Sequence, residues 1–422
     1  MRASGLSAVK DHNDESCWVL VPVGQRASGG WVDDVLRARA REAPLRGKSG
    51  DVDPGPRQRI EVFRGRDAQA RVNARYYQRG WTDGLPIVAP TLARVEEMLQ
   101  YSPLAADHTI GELEPLMGAA TVEKLAANAV MAGCLPAYFP VVLAATKALL
   151  DPAFNLRGVQ TTDENVAPLL IVSGPIADRL GINAGIGALG PGWQANATIG
   201  RALRLIMTNI GGGWPGVVSL AGIGQPARYT LCVAEQEDAS PWAPLHVDSG
   251  FGPGDSTVTL MRAECSINVT GELDDLASVM ASAVSAFSVL HGGRVAVLIA
   301  PYIAQRLAAE GWSKADVSRY LFEHARIPVE VWRQFWVCKQ IAVSYGVPDW
   351  VTRAEMTGRI PIVEHPEDIV VFVAGGNAPI AQHVYFPTWG FPPCRVVSPV
   401  SLPANWNELM ARQEASSSEN DG

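Results

Sequence analysis

Carboxylates and a histidine crowd into one short stretch of this 422-residue chain: Ala234-Glu-Gln-Glu-Asp238, then Ser240-Pro-Trp-Ala-Pro-Leu-His246-Val-Asp248. They follow Tyr229–Ala234, a segment that alternates like a β-strand, on a loop braced by Pro241 and Pro244. Loops at the carboxyl ends of strands are where α/β sheets usually hold their ligands. Glu235 or Glu237 can move a proton there and His246 can assist, because an unperturbed imidazole titrates near the working pH. The competing reading is an ordinary solvated turn. No i,i+4 ligand pair supports a metal, so none is assigned.

Two further stretches carry chemistry. Cys134, in Met131-Ala-Gly-Cys-Leu-Pro136, stands between a glycine that should end one helix and a proline that should start the next. A thiol just ahead of a helix N-terminus feels the positive end of the dipole, which favours thiolate and makes Cys134 the candidate nucleophile. A buried, inert cysteine is the alternative, since free cysteine is among the most buried residues. The glycine-dense region is the other stretch: 13 of the 51 residues from Gly174 to Gly224 are glycine. Its centre, Gly181-Ile-Asn-Ala-Gly-Ile-Gly-Ala-Leu-Gly-Pro-Gly192, leads into a helix beginning near Asn196. Strand, glycine loop and helix start, in that order, can present backbone N–H groups to an anion. Asn183, Gly190, Gly192, Asn196, Thr198 and Arg201 are the expected substrate-binding residues, set against an irregular loop packed on itself. The loop is too long for a G-x-G-x-x-G nucleotide fingerprint and names no cofactor. His383, after paired glycines, is a weaker ligand candidate.

The elements that must position these groups alternate between strand and helix. Thr91 should cap a helix to Gln100, and Thr121 a helix over Val122–Met131. Pro136 should open a helix to Leu150, since the first helical position does not need its N–H. Pro168–Ser173 reads as a buried strand, Asn196–Asn209 as a helix and Ser256–Met261 as a strand. Leu273–Leu290 reads as one helix, Arg294–Ala300 as a strand, Ser313 as the cap of another helix, and Glu367–Ala374 as a strand. The expected fold is α/β: two lobes with a mainly parallel, covered sheet and glycine-rich strand–loop–helix segments. The expected divisions are a flexible basic extension over 1–70, a glycine-rich lobe with the main site over 71–270, a second lobe over 271–410, and a disordered tail over 411–422. Trp31–Glu42 reads as a short helix and Gly47–Pro56 as linker within the extension. No repeat of solenoid period is evident.

Composition narrows the function classes. Residues 1–75 hold 14 Lys/Arg against 10 Asp/Glu, and the rest hold 21 against 33. An acidic body disfavours nucleic acid, whose binding needs clustered cations. No segment approaches the ~18 apolar residues of a membrane span, and the N-terminus lacks the apolar core of a signal peptide. Six scattered cysteines without C-x-x-C spacing argue against a zinc module or a disulfide scaffold. A cytoplasmic protein with reduced thiols is expected, open to homo-oligomerisation.

Several motifs together resemble a bacterial family associated with the small UGSC-motif (seleno)proteins. They are Trp81-Thr-Asp-Gly-Leu-Pro86, Met131-Ala-Gly-Cys134, Leu180-Gly-Ile-Asn-Ala-Gly185, Ala195-Asn-Ala-Thr-Ile-Gly-Arg-Ala-Leu-Arg204, Ala239-Ser-Pro-Trp-Ala-Pro-Leu-His246 and Gly311-Trp-Ser-Lys-Ala-Asp316. The resemblance covers about Gly80 to Val400. It implies a cytoplasmic bacterial protein linked to thiol or selenol chemistry, but the chain itself carries no U/C-G-S-C motif.

These features point to an enzyme acting on a small anionic or carbonyl-bearing substrate. In the first version Cys134 attacks as thiolate while Glu235, Glu237 and His246 transfer protons, in a C–S bond reaction or thiol transfer. A lyase or hydrolase using only the Glu/His pair is the alternative. A non-catalytic binding partner of a small thiol or selenol protein is the other.

Overall fold

The computed structural model describes residues 17–20, 60–63, 67–390 and 393–420. Within the N-terminal extension, Cys17–Leu20 and Ile60–Phe63 pair as an antiparallel ribbon. The expected helix at 31–42 and linker at 47–56 lie outside the described residues.

Eight strands build two four-stranded sheets: β1 Ala167–Ser173, β2 Cys232–Ala234, β3 Thr257–Ala263, β4 Ile267–Thr270, β5 Val295–Ile299, β6 Ile369–Val373, β7 Gln382–Phe386 and β8 Val396–Pro399. The first sheet has the order β8-β3-β1-β2 and the second β6-β5-β7-β4. The α/β class stands. The mainly parallel sheet does not: only β1–β2 and β5–β6 run parallel, and the other pairings are antiparallel. Both arrangements give continuous apolar strands when both faces are covered, so the sequence pattern is the same for either.

The faces explain that pattern. Leu169 and Ile171 of β1 meet Ala296 and Leu298 of β5 and Phe372 of β6 in a core between the two sheets. Leu170 and Val172 point the other way, onto α1 (Val122–Ala132), α2 (Phe139–Leu149) and α3 (Gln194–Asn209). Val295, Val297 and Ile299 face α4 (Pro301–Ala309) and α5 (Lys314–His324). The result is four layers: helices, sheet, sheet, helices.

The two quartets of strands, β1–β4 and β5–β8, repeat one connection pattern. In each, the first two strands are parallel neighbours and the third is antiparallel to the first. The fourth strand leaves its own sheet: β4 pairs with β7, and β8 pairs with β3. The strands therefore do not divide at residue 270. The two exchanging connections meet at an antiparallel bridge between Ala263 and Thr388. Sequence supports the duplication once topology shows where to align. Ile176-Ala-Asp-Arg-Leu180 follows β1, and Ile303-Ala-Gln-Arg-Leu307 follows β5. Gly192-Trp193 and Gly311-Trp312 then precede α3 and α5, each with an arginine two residues before a buried leucine, Leu203 or Leu321.

Caps behave as expected where side chains are short and polar. Thr91 and Thr121 accept from the amides of Arg94 and Lys124, and Ser313 with Asp316 forms a full capping box. The expected helix over Leu273–Leu290 is instead broken, Leu273–Met280 ending before a turn that leads to Ala286–His291. A helix runs over Trp406–Asn420, overlapping the stretch 411–422 expected as a disordered tail. Its start is anchored by an edge contact between Trp406 and Tyr101, whose hydroxyl donates to the Leu409 carbonyl. No single helix among the described residues is long and apolar enough to cross a membrane.

Candidate functional site

β1 and β2 end side by side, and their carboxyl ends carry Ser173-Gly174 and Glu235-Gln236-Glu237. Gly174 sits at φ 93°, where a Cβ would meet the Asp255 carbonyl oxygen at 2.1 Å, so only glycine fits the turn. Its amide donates to Glu237 Oε1 at 2.5 Å. Glu235 is buried at 3% exposure. Its Oε2 accepts from Ser173 Oγ at 3.0 Å and from the Leu245 amide at 2.7 Å. Its Oε1 has no hydrogen-bond partner. That bare oxygen lies 3.8 Å from Lys314 Nζ.

Lys314 is the first residue of α5 and so belongs to the other strand quartet. Its ammonium donates to the Ala243 carbonyl at 2.5 Å and to Asp248 Oδ2 at 2.7 Å. The loop after β2 is fastened to the same quartet by Trp242 Nε1 donating to the Trp312 carbonyl and Gln305 donating to the Ala239 carbonyl. The backbone amide of Gln236 donates to the Val373 carbonyl at 2.8 Å, which brings the end of β6 to the same place. The site is thus composite. One half supplies the acids and the other supplies the cation.

Electrostatics follow from burial. Desolvation pushes the Glu235 carboxyl up to about 7, against the lowering pull of Lys314 and of the two hydrogen bonds, with Glu237 adding a small push upward. His246 is fully buried, and neither ring nitrogen has a hydrogen-bond partner. Its Nδ1 is 3.6 Å from Glu237 Oε1, too long for a hydrogen bond. The solvent-facing members are Glu237, Asp248 and Lys314, with side chains 29%, 34% and 15% exposed. Arg395 closes one flank, donating to the Leu245 carbonyl and to Ser249 Oγ.

The expected Glu235, Glu237 and His246 therefore come together. Sequence reasoning missed Ser173, Lys314 and Arg395, and gave Asp248, in the same stretch, no role. Lys314 sits in the quoted Gly311–Asp316 motif, but nothing local to that motif reveals a carboxylate partner nearly eighty positions away.

The expected substrate-binding residues are engaged with the protein itself. Asn196 Nδ2 donates to the carbonyls of Asn183, Ala188 and Cys232, and its Oδ1 accepts from the Asn183 amide. The Asn183 side chain closes its own turn, with Gly185 N as donor and the Ile186 carbonyl as acceptor. The Gly190 amide donates to the Gly187 carbonyl, and Gly192 takes φ 122° ahead of the helix. Thr198 Oγ1 bonds back to the Gln194 carbonyl. Arg201 grips Asp83 through two bonds, at 2.7 and 2.9 Å, and reaches the Ala132 and Pro86 carbonyls. The glycine loop is knitted to itself and, through the Ala234 amide on the Asn183 carbonyl, to the strand that carries Glu235. The Asn196 side chain adds a second tie to that strand at the Cys232 carbonyl. His383 lies buried in β7 with Nε2 on the Gly271 carbonyl, and burial lowers its pKa.

Cys134, the expected nucleophile, lies in the core beside α3. As expected, Pro136 opens the helix that follows: its first turn is 3-10, Pro136–Tyr138, and runs straight into α2 at Phe139. The thiol is buried and donates to the Thr198 carbonyl at 3.3 Å. Burial pushes it up to about 12, against weaker lowering by the Thr198 bond and Arg201. Iodoacetamide at pH 7.5 should accordingly label native Cys134 no faster than global unfolding exposes it. Peptide mapping by mass spectrometry checks this, and rapid labelling under native conditions would restore the thiolate.

Among the described residues, no group of three or more His, Cys, Asp or Glu side chains has the arrangement to hold a metal ion. No family model, curated protein or solved structure matches the chain.

Proposed function

We propose that the chain is an enzyme of small-molecule acid–base chemistry, a lyase or hydrolase, with Glu235 as the proton-transferring group. The observation that carries this reading is the Glu235 carboxyl: buried, titrating about 7, with one oxygen bare of hydrogen bonds and 3.8 Å from the Lys314 ammonium. A general acid–base works best when its pKa lies near the operating pH. Buried carboxyls held between a desolvating shell and a single cation recur at catalytic centres. Ser173 and the Leu245 amide fix one oxygen, so the proton is exchanged at the other. Lys314, partly exposed, is the group through which that oxygen meets a ligand, and its charge suits a substrate that carries or develops negative charge. Glu237 and Asp248 line the approach, and His246 backs Glu237.

Thiol transfer through Cys134 is the weaker reading, because burial pushes that thiol up to about 12 and it donates to the Thr198 carbonyl. A small thiol or selenol protein as partner rests on the sequence resemblance alone.

The test is conversion of a bacterial metabolite extract by the purified full chain, followed by untargeted mass spectrometry. Compounds consumed by the wild type should persist with Glu235→Gln, at rates lowered at least 100-fold, and should still be consumed by Cys134→Ser. Conversion that survives Glu235→Gln and dies with Cys134→Ser would replace this reading with the thiol one.

A further inference from the structure

One more cluster stands apart from the Glu235 group, on the other side of β2. Arg204 lies one helical turn beyond Arg201 on α3, and Arg228 ends the short Pro226–Arg228 turn that leads toward β2. Arg204 Nε donates to the Arg228 carbonyl at 2.8 Å, and Arg228 Nη2 donates to Ser219 Oγ at 2.7 Å. Arg204 Nη2 is buried without any hydrogen-bond partner. The nearby carboxylate, Asp83, is already engaged on both oxygens by Arg201. Among the described residues neither Arg204 nor Arg228 forms an ion pair.

Two partly buried guanidinium groups without a counter-charge are unfavourable unless something repays their desolvation. Both sit where burial lowers the pKa, and the charge of Arg228 lowers Arg204 further, to about 9. Even so depressed, Arg204 is charged at neutral pH. The rest of its surroundings supply hydrogen-bond partners for only part of the fork. Arg228 uses one of its five N–H groups on Ser219, and the Ser219 hydroxyl, having accepted that bond, keeps its own proton to donate. A planar guanidinium fork matches the oxygens of a carboxylate or a phosphate.

We propose that Arg204, Arg228 and Ser219 form a binding site for a small oxyanion, a carboxylate or phosphoryl group, separate from the Glu235 centre. Both stretches that frame it, Trp81–Pro86 and Ala195–Arg204, lie against each other here: Arg201 holds Asp83, and Asn209 Nδ2 donates to the Trp81 carbonyl. The site does not depend on the acid–base reading, and an anion bound here either anchors a remote group of a substrate or acts as an effector.

The experiment is calorimetric titration of the full-length protein with inorganic phosphate and, separately, with malonate, against sodium chloride at matched ionic strength and pH 7.5. Saturable binding of either probe is expected, and which one binds tells phosphoryl from carboxylate. Arg228→Gln should weaken it at least tenfold while leaving the fold intact by circular dichroism, and Ser219→Ala should weaken it several-fold. Arg333→Gln, which alters an exposed arginine paired with Glu355, should leave it unchanged. Arg204→Gln is a second probe where it folds. Absence of saturable heat with both anions, an equal response to chloride, or binding that survives Arg228→Gln overturns the site.

Discussion

Replacing Arg201 with alanine should lower the unfolding free energy by about 3–5 kcal/mol, the cost of leaving a buried charge without its partner. The pair is the most enclosed Arg–carboxylate contact among the described ion pairs, with side chains 14% and 6% exposed, and Arg201 also reaches the Ala132 and Pro86 carbonyls. The change would strand Asp83, whose side chain is 6% exposed, and remove one tie between the Trp81–Pro86 loop and α3, the Asn209 bond to the Trp81 carbonyl remaining. Urea unfolding of the full chain measures the effect. The double variant Asp83→Ala/Arg201→Ala should recover part of the loss, because it removes the stranded charge as well. A loss under about 1 kcal/mol, the range of exposed pairs, would show that the contact is solvated and does not hold the loop.

The second large effect is a pH dependence with a definite sign. Glu235 titrates near 4.5 when unfolded and about 7 when folded. Between those values the native state holds a proton that the unfolded state has released, so stability falls as pH rises through that window and levels off above it. The span corresponds to about 3 kcal/mol from this one group at most. Glu235→Gln has no such proton to lose. The variant should therefore gain on the wild type as pH rises, being close to it at pH 5 and more stable by as much as ~3 kcal/mol at pH 8. Parallel stability–pH curves for the two proteins would remove Glu235 as the source of the slope. A site that costs stability in its ionised form at neutral pH is the usual exchange between activity and stability.

How much of this was legible in the sequence depends on the range of each interaction. Caps were readable because their chemistry is local: Thr91, Thr121 and Ser313 each accept from an amide three residues on. The strand at 167–173 was readable because it is apolar from Ala167 to Val172 and breaks at Gly174. Its neighbour was legible as a strand at 256–261, but its antiparallel pairing was not, since Thr257–Ala263 is buried at every position and its register comes from contacts far along the chain. The break between Met280 and Ala286 carries no proline or glycine, so helical periodicity ran straight through it. The duplication escaped notice because it occurs once, across loops of unequal length, and only the exchanged strands β4 and β8 make the match visible.

The candidate site divides along the same line. Glu235, Glu237 and His246 are neighbours in sequence and stay neighbours in space. The glycine loop looked like a ligand cradle because glycine and asparagine serve both purposes. In the structure the Asn196 side chain is bonded to three carbonyls and one N–H of its own chain. Cys134 does stand ahead of the helix that Pro136 opens and α2 continues, but its thiol lies buried against the Thr198 carbonyl. Lys314 carried no signal at all, because its meaning depends on α5 of one quartet meeting β2 of the other.

The proposed chemistry needs a carboxyl poised near neutrality by burial beside one ammonium group. Carbon-detected NMR of the 13C-glutamate-labelled full chain, with the Glu235 signal assigned by comparison with Glu235→Gln, follows that carboxyl directly across pH 4–9. A midpoint close to 7 that moves upward in Lys314→Met, where the lowering charge is gone, is the predicted result. A midpoint near 4.5 that ignores Lys314→Met would contradict it.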